Sequence, residues 1–154
     1  LWDEALEFDA PRDTVVMVWR DAAHGRAAAA RGHDVVLCPE SHCYFDHYQG
    51  GPDSEPEAIG GDTDLAKVLA YEPGDADWSP GERAHLLGIQ GNLWSEYIHD
   101  AAHLEYMAWP RGCALAEVAW GPAGERDLGE FLGRFDRHRK RLKAMDVFFR
   151  KPDA

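Results

Sequence analysis

The stretch Leu86–Ile98, LLGIQGNLWSEYI, followed by Glu105–Trp120, EYMAWPRGCALAEVAW, decides the fold of this chain. The first piece predicts a buried strand that ends in Trp94, Ser95 and Glu96, and the second predicts a helix. The alanines and the glycine of that helix leave room for a large neighbour. A strand that delivers a Trp and a Glu together suits sugar binding, because an indole covers the apolar face of a pyranose and a carboxylate accepts bonds from its hydroxyls.

Two runs nearer the N-terminus share the buried-strand pattern. Thr14–Trp19 (TVVMVW) and Asp34–Cys38 (DVVLC) are short, apolar and rich in β-branched residues, which predicts strands that are buried on both faces. Leu1 and Trp2 fit the tail of a fourth strand. Together with Leu86–Leu93, the chain therefore offers three or four strands to one sheet.

Segments of helical composition alternate with these strands. We predict helices at Asp21–Gly32, at Asp64–Ala70, at about Ala101–Ala119 with a break at Pro110, and at about Asp127–Phe149, and loops at residues 40–63 and Tyr71–Arg83. Hydrophobic strands that alternate with helices indicate parallel βα units. Three or four such strands cannot close a barrel, so we expect an α/β fold that is part of a larger structure.

The composition excludes several classes of partner. The 154 residues carry a formal net charge of −12, which argues against nucleic acid or an anionic membrane, because both attract clustered Lys and Arg. The basic run Arg134–Lys143 (RFDRHRKRLK) fits the solvent-facing side of a helix. No stretch of the sequence is long and apolar enough to span a bilayer.

The cysteines and the first residues carry little functional information. Cys38, Cys43 and Cys113 are odd in number and lack a C-x-x-C spacing, so they predict buried thiols rather than a disulfide framework or a zinc site. The chain starts at Leu1 without an initiator Met or a signal-like segment. We therefore expect the natural N-terminus to lie upstream.

Large aromatic residues recur at the predicted strand ends. Trp2 begins the chain, Trp19 closes TVVMVW, Tyr44 follows DVVLC, and Trp94 closes the last strand. In a βα barrel all strand C-termini lie at one face, where the active site is built. We therefore expect these aromatic side chains to converge on one cavity.

Two carboxylates accompany the aromatic residues. Asp46 lies two residues beyond Tyr44, and Glu96 lies two residues beyond Trp94. In an extended backbone, residues i and i+2 face the same side, so each aromatic residue brings an acid to the same cavity. Glu96 has apolar sequence neighbours on both sides. We therefore expect an ordinary surface position less for Glu96 than for Asp46.

These motifs resemble, in order and approximate spacing, the second half of the catalytic barrel of the family 20 glycoside hydrolases, the β-N-acetylhexosaminidases. The matching residues are Trp2, Asp3 and Glu4 for the Trp after strand five, Trp19 for the Trp at the end of strand six, Tyr44 to Gln49 (YFDHYQ) for the Tyr-x-Asp motif after strand seven, and Trp94 to Glu96 for the Trp-x-Glu motif of strand eight. The segment PRGCALAEVAW resembles the terminal barrel helix of the family.

The resemblance implies a partial (β/α)8 TIM barrel, from the end of strand five to strand eight with the following helices. Residues 1–154 would be the C-terminal portion of one catalytic domain. The implied activity removes terminal non-reducing N-acetylglucosamine or N-acetylgalactosamine from β-N-acetylhexosaminides by a retaining, substrate-assisted mechanism, without a cofactor or a metal. A half barrel exposes strand edges and apolar interior, so we also expect self-association.

The resemblance also implies a role for each site residue. Trp2, Trp19 and Trp94 would wall the sugar ring and its acetamido pocket. Tyr44 would orient the acetamido oxygen. Asp46 and Glu96 would accept bonds from sugar hydroxyls, at O6 and O4.

The chain departs from the family at the catalytic acid. The family's general acid/base is the Glu of an adjacent Asp-Glu pair, usually within His-x-Gly-Gly-Asp-Glu at strand four, and no segment here matches that motif. By resemblance, Asp3 and Glu4 belong to the end of the next strand. The general acid/base is thus absent from this chain, and we expect negligible hydrolysis by the chain alone.

Two other readings of the site stay open. The first is a non-catalytic N-acetylhexosamine-binding remnant that keeps the aromatic platform. The second is a two-carboxylate glycosidase in which Asp46 and Glu96 form the catalytic pair.

Several histidines are weaker candidates for function. His99 and His103 lie four residues apart with Asp100 between them, a spacing that can bind zinc but here lacks an evident third ligand. His42 and His47 flank the Tyr-x-Asp motif and are candidates for the cavity wall, although loop histidines are more often solvated.

The remaining polar motifs predict structure rather than chemistry. The segment at 60–63 (GGDT) fits a turn, because it does not join a strand to a helix with phosphate-loop spacing. Arg111 and Glu117 are predicted to form ion pairs at the outer layer of the barrel rather than to contact substrate.

Overall fold

Parallel strands form the centre of the computed structural model, which describes residues 1–74 and 77–152. Within these ranges the sheet has three strands in the order β1 (Val16–Val18), β2 (Val35–Leu37) and β3 (Leu86–Ile89). Both pairings are parallel, as the alternation of strands and helices predicts. The proposed tail of a fourth strand is a single parallel bridge between Trp2 and Met17.

Helices surround the sheet and connect its strands. In chain order they are α1 (Ala22–Ala30), α2 (Glu40–Cys43), α3 (Leu65–Leu69), α4 (Pro80–Arg83), α5 (Ala101–Ala108), α6 (Arg111–Trp120) and α7 (Leu128–Ala144). The break at Pro110 therefore separates α5 from α6, as predicted. Asp side chains accept a backbone N–H at the N-termini of α1, α3, α5 and α7, which satisfies a donor that lacks a helical partner.

The structure corrects several predicted boundaries. The predicted loop at 40–63 contains α2 and a short 3₁₀ helix, Pro52–Ser54. The last helix ends at Ala144 rather than Phe149, because the chain reverses at Asp146, whose φ is +59°. The predicted loop Tyr71–Arg83 contains α4 and also includes residues 75–76, which lie outside the described residues.

The last strand also differs from its prediction. Regular pairing stops at Ile89, so Trp94 lies in the loop beyond β3 rather than on the strand. β3 is not buried on both faces: Leu87 is 58% exposed. β3 also forms one edge of the sheet, since it pairs with β2 on one side and has no strand on the other side among the described residues.

The core lies between the sheet and the helices. Val16 and Val18 of β1, Val35 and Leu37 of β2, and Val68 of α3 are almost fully excluded from solvent. The basic run on α7 is largely exposed, as predicted.

The structure also tests the expectations for the three cysteines and for a membrane-spanning segment. Cys38 and Cys43 are free and buried, as expected, whereas Cys113 is partly exposed. No helix in the described ranges is long and apolar enough to cross a membrane.

Two glycines inside helices give a matched test of this packing. A Cβ at Gly25 would lie 2.6 Å from Leu37 Cδ2, whereas a Cβ at Gly133 on α7 would meet nothing within 4 Å. We predict that Gly133→Ala raises the free energy of unfolding by about 0.5–1 kcal/mol, through helix propensity. Gly25→Ala should instead lower it by about 1–3 kcal/mol, because the core is overpacked.

Urea denaturation of both variants measures the two values. Equal effects of the two substitutions would contradict the packing of α1 against β2.

Candidate functional site

The pairing of β2 with β3 continues beyond the strands into two loops. Tyr44 and Asn92 form an isolated parallel bridge, in which Phe45 N–H donates to Asn92 O and Asn92 N–H donates to Cys43 O, both at 2.7 Å. Because these loops stay hydrogen-bonded to each other, the residues that follow Tyr44 and Asn92 lie side by side.

A cavity of about 400 Å³ opens between these loops. Its wall contains the four main candidates from the sequence and the weaker candidate His47, and it adds an acid and a short apolar segment. The lining residues are Glu40, Tyr44, Asp46, His47, Ile59, Gly60, Gly61, Trp94 and Glu96. The two aromatic–x–acid pairs thus face one hollow.

The Tyr44 side chain supplies a hydroxyl to the cavity. Burial is the main cause that raises the pKa of Tyr44, and hydrogen bonds with the side chains of Trp94 and Asn92 oppose that rise. The phenol therefore keeps its proton at neutral pH and is available as a hydrogen-bond donor.

The Asp46 carboxyl is the most unusual polar group of the cavity. Its residue is 5% exposed, and its Oδ1 atom is buried without a hydrogen-bond partner among the described residues. Burial raises the pKa of Asp46 and nearby Glu96 adds to the rise, whereas His47 and Arg111 oppose it. An unpartnered buried carboxylate oxygen is an acceptor that a ligand hydroxyl can satisfy.

The apolar sequence neighbours of Glu96 predict that Glu96 is less exposed than Asp46, but the structure shows the reverse. Asp46 is buried, whereas Glu96 is exposed at the edge of the cavity. The apolar neighbours of Glu96 lie in a loop rather than on a strand, so they do not bury it.

The three tryptophans occupy different environments. Trp2 packs against Trp94, with ring centroids 5.8 Å apart and planes at 38°, and Trp94 is 41% exposed. Trp19 is partly buried against the core and its indole N–H donates to Glu4 Oε1 at 3.0 Å. Neither Trp2 nor Trp19 is therefore part of the cavity wall, so of the four aromatic side chains expected to converge there only Tyr44 and Trp94 do.

His47 is a cavity residue to which sequence reasoning gave little weight. Its Nδ1 lies 3.1 Å from Thr63 Oγ1, and its Nε2 lies 3.6 Å from Glu40 Oε1. Burial lowers the pKa of His47. Gly61 makes this position possible, because a Cβ there would lie 2.3 Å from His47 Nδ1.

The segment at 60–63 pairs with Tyr48 instead of forming the predicted turn: Tyr48 N–H donates to Gly60 O, Thr63 N–H donates to Tyr48 O, and Tyr48 and Asp62 form an isolated parallel bridge. Both of its glycines adopt positive φ, +130° at Gly60 and +65° at Gly61, a backbone conformation that glycine adopts at little cost.

Arg111 corrects an expectation. It is fully buried and donates to the carbonyl oxygens of Phe45, His47, Thr63 and Met107, so it is not part of an ion pair at the outer layer. Burial lowers its pKa to about 9, chiefly through desolvation.

Glu117 behaves as expected, since it forms an ion pair with Arg134 at the surface. His42 stacks on Tyr71 at 5.0 Å. His99 Nε2 lies 3.4 Å from Glu57 Oε2, and the described residues contain no group of three or more His, Cys, Asp or Glu side chains that could hold a metal ion.

Comparison with known proteins identifies the family. The sequence model "Glycosyl hydrolase family 20, catalytic domain" matches residues 1–123. The chain is 40% identical over 152 residues to a β-hexosaminidase of Porphyromonas gingivalis, and 29% identical over 147 residues to the human β-hexosaminidase subunit β. The chain belongs to glycosyl hydrolase family 20.

Solved structures have the same fold. The chain superimposes with a TM-score of 0.86 and 34% identity on a family 20 exo β-N-acetylglucosaminidase from Vibrio harveyi, crystallised in complex with N-acetylglucosamine. That match covers 99% of this chain and 24% of the Vibrio chain. The bacterial relative from Porphyromonas is matched over 98% of this chain and 20% of its own length. The chain thus spans a fifth to a quarter of these relatives.

The unpartnered carboxyl predicts a dependence of stability on pH. Because the pKa of Asp46 is raised in the folded protein, the stability that its protonated form contributes is present at low pH and is lost as pH rises through the folded pKa. Asp46→Asn, which is neutral throughout, should exceed wild type in free energy of unfolding at neutral pH by about 0.5–2 kcal/mol.

Urea titrations between about pH 3 and pH 7 measure this difference, which should shrink on the acid side. Asp53→Asn, at an exposed position, is the matched control. A gap between wild type and Asp46→Asn that is constant over this range would contradict the raised pKa.

Proposed function

We propose that the chain forms the C-terminal portion of one TIM-barrel catalytic domain, from the end of barrel strand five to strand eight. The match over about a quarter of the Vibrio chain supports this reading, as does the open edge of β3. The rest of the barrel would cover apolar side chains such as Leu87, 58% exposed, and Trp120, 91% exposed. Left uncovered, these surfaces favour self-association.

The proposed activity of the complete domain is removal of terminal non-reducing N-acetylhexosamine residues from β-N-acetylhexosaminides. The observation that carries this proposal is the convergence of Tyr44, Asp46, Trp94 and Glu96 on one cavity in a chain of family 20. The cavity offers what an N-acetylated sugar requires: an aromatic surface, a hydroxyl donor and two carboxylate acceptors.

The ring faces of the sugar would rest on aromatic side chains. Trp94 lines the cavity and its ring packs against the ring of Trp2. Trp19 would reach the acetamido pocket from the end of the neighbouring strand, as the resemblance implies. Such contacts bury the apolar C–H face of the pyranose and fix its height in the site.

Asp46 and Glu96 would hold the sugar hydroxyls at O6 and O4. A hydroxyl that donates to Asp46 Oδ1 satisfies an acceptor which has no partner in the protein. Glu96 stays accessible at the cavity edge. Charge-assisted hydrogen bonds of this type each contribute about 1.5–3 kcal/mol to binding.

The proposed mechanism is retaining and uses no nucleophile from the protein. The 2-acetamido oxygen attacks the anomeric carbon while the bond to the leaving oxygen breaks, which gives an oxazolinium that water then opens. Tyr44 donates its hydroxyl hydrogen to the acetamido oxygen and holds it in line for attack. A tethered nucleophile has a high effective molarity, so orientation supplies much of the rate.

The proton for the leaving group would come from a carboxylic acid that this chain does not contain. No His-x-Gly-Gly-Asp-Glu motif is present, and general acid catalysis contributes about 10²–10⁴-fold.

We therefore predict that the 154-residue chain binds N-acetylglucosamine weakly and does not turn over a chromogenic N-acetylglucosaminide. Titration by NMR should move the signals of Tyr44 and Trp94 first, because they line the cavity. Glucose, which lacks the acetamide, is the control and should bind more weakly. Steady hydrolysis by the chain alone would contradict the absence of the acid.

The alternative is a two-carboxylate glycosidase, which the shared cavity of Asp46 and Glu96 permits. The variant Glu96→Gln in the complete catalytic domain distinguishes a sugar-binding role of Glu96 from a role as nucleophile. A binding role predicts a KM raised by about tenfold or more, with no covalent glycosyl-enzyme in either protein.

Intact mass spectrometry with a fluorinated slow substrate detects a covalent intermediate if one forms. A trapped glycosyl group on the wild-type protein that is lost in Glu96→Gln would establish Glu96 as a nucleophile and overturn the substrate-assisted mechanism.

A further inference from the structure

Arg111 is a buried cation without a carboxylate partner. Its side chain is fully excluded from solvent, and none of the ion pairs among the described residues includes it. Burial of an uncompensated charge costs several kcal/mol. A buried guanidinium is tolerated when all of its N–H donors have acceptors. The acceptors of Arg111 therefore show which parts of the structure it holds in place.

The guanidinium bonds to carbonyl oxygens from three separate segments. Nε and Nη2 donate to Met107 O at 3.1 and 2.7 Å, which anchors the group to the end of α5. Nη1 donates to His47 O at 3.1 Å and to Thr63 O at 2.8 Å. Nη2 also donates to Phe45 O, and the guanidinium carbon lies 4.9 Å from the centre of the Phe45 ring.

The bond to Phe45 O has a consequence for the peptide that joins Phe45 to Asp46. In a planar trans peptide, C=O and N–H point in opposite directions. With its oxygen held by Arg111, the N–H end of this peptide points away from the guanidinium, and the backbone of Asp46 lowers the pKa of its own carboxyl. The guanidinium therefore orients a backbone dipole that favours the ionised carboxylate.

The bond to Thr63 O acts on a second residue of the cavity. Thr63 is fully buried, and its hydroxyl lies 3.1 Å from His47 Nδ1. By fixing the backbone of Thr63 and the carbonyl of His47, the same guanidinium fixes both ends of the contact that orients the imidazole.

We infer that Arg111 is the positioning residue of the sugar site: its guanidinium fixes the Phe45–Asp46 peptide and the Thr63 backbone, and through them orients Asp46 and His47. The inference rests on the proposed function only for the identity of the ligand.

The test follows the titration of Asp46 directly, by the ¹³Cγ shift of the 154-residue chain. The charged groups that act on the two residues include His47, Glu96, Glu55, Tyr106 and Arg150, and these are unchanged in every variant. In Arg111→Met the Asp46 midpoint should rise by about one pH unit or more, because the cation and the oriented peptide are both lost.

Arg111→Lys keeps the charge but cannot span three segments, so its midpoint should lie between those of wild type and Arg111→Met. Arg134→Met is the control, since it removes an arginine that pairs at the surface with Glu117, and its Asp46 midpoint should equal that of wild type. A folded Arg111→Met with the wild-type midpoint would overturn the inference.

A measurement on the wild type keeps the test independent of any unfolded variant. Through-hydrogen-bond couplings from the Arg111 Nη nitrogens to the carbonyl carbons of Phe45 and Thr63 should be detectable, and their absence from the folded wild type contradicts the inference. N-acetylglucosamine titration of the same samples separates the two proposals. If the wild-type chain does not bind N-acetylglucosamine, the proposed function is contradicted. The titration midpoints of Asp46 would still decide the role of Arg111.

Discussion

The parallel pairing of β2 with β3 is the constraint on which the rest of this structure depends. The hydrogen bonds between the two chain segments do not stop with the regular strands but continue through the bridge of Tyr44 with Asn92. Parallel strands present their C-terminal ends on the same side of a sheet, so both loops open there together. An aromatic–x–acid pair on each loop then faces its counterpart across one cavity.

Asp46 in the cavity and Arg111 beneath its loops are buried in ways that lower the free energy of unfolding. The sheet and helices bury enough apolar surface to hold Asp46 away from water with one oxygen unsatisfied, and to hold Arg111 with only backbone oxygens as partners. Groups of this kind destabilise a fold unless something else selects them. In the proposed function, a ligand hydroxyl would supply the partner that Asp46 Oδ1 lacks.

Local sequence patterns predicted the parts of the molecule that local physics controls. Hydrophobic runs identified the three strands, Pro110 marked the break between two helices, and the i, i+2 spacing placed Tyr44 with Asp46 and Trp94 with Glu96. The pattern failed where distant segments decide the outcome. Three of the four residues that accept hydrogen bonds from Arg111 lie 48 to 66 residues away in sequence, and the place of His47 depends on the missing side chain of Gly61.

Contacts between protein and sugar test the central claim most directly. Isotope-filtered NMR of the chain with N-acetylglucosamine measures which protein protons lie near the sugar. We predict nuclear Overhauser effects from the acetamido methyl group to the Tyr44 and Trp94 rings, and from ring protons of the sugar to the Trp94 indole. Overhauser effects confined to other surfaces, with none to Tyr44 or Trp94, would contradict a single sugar site between the loops that follow β2 and β3.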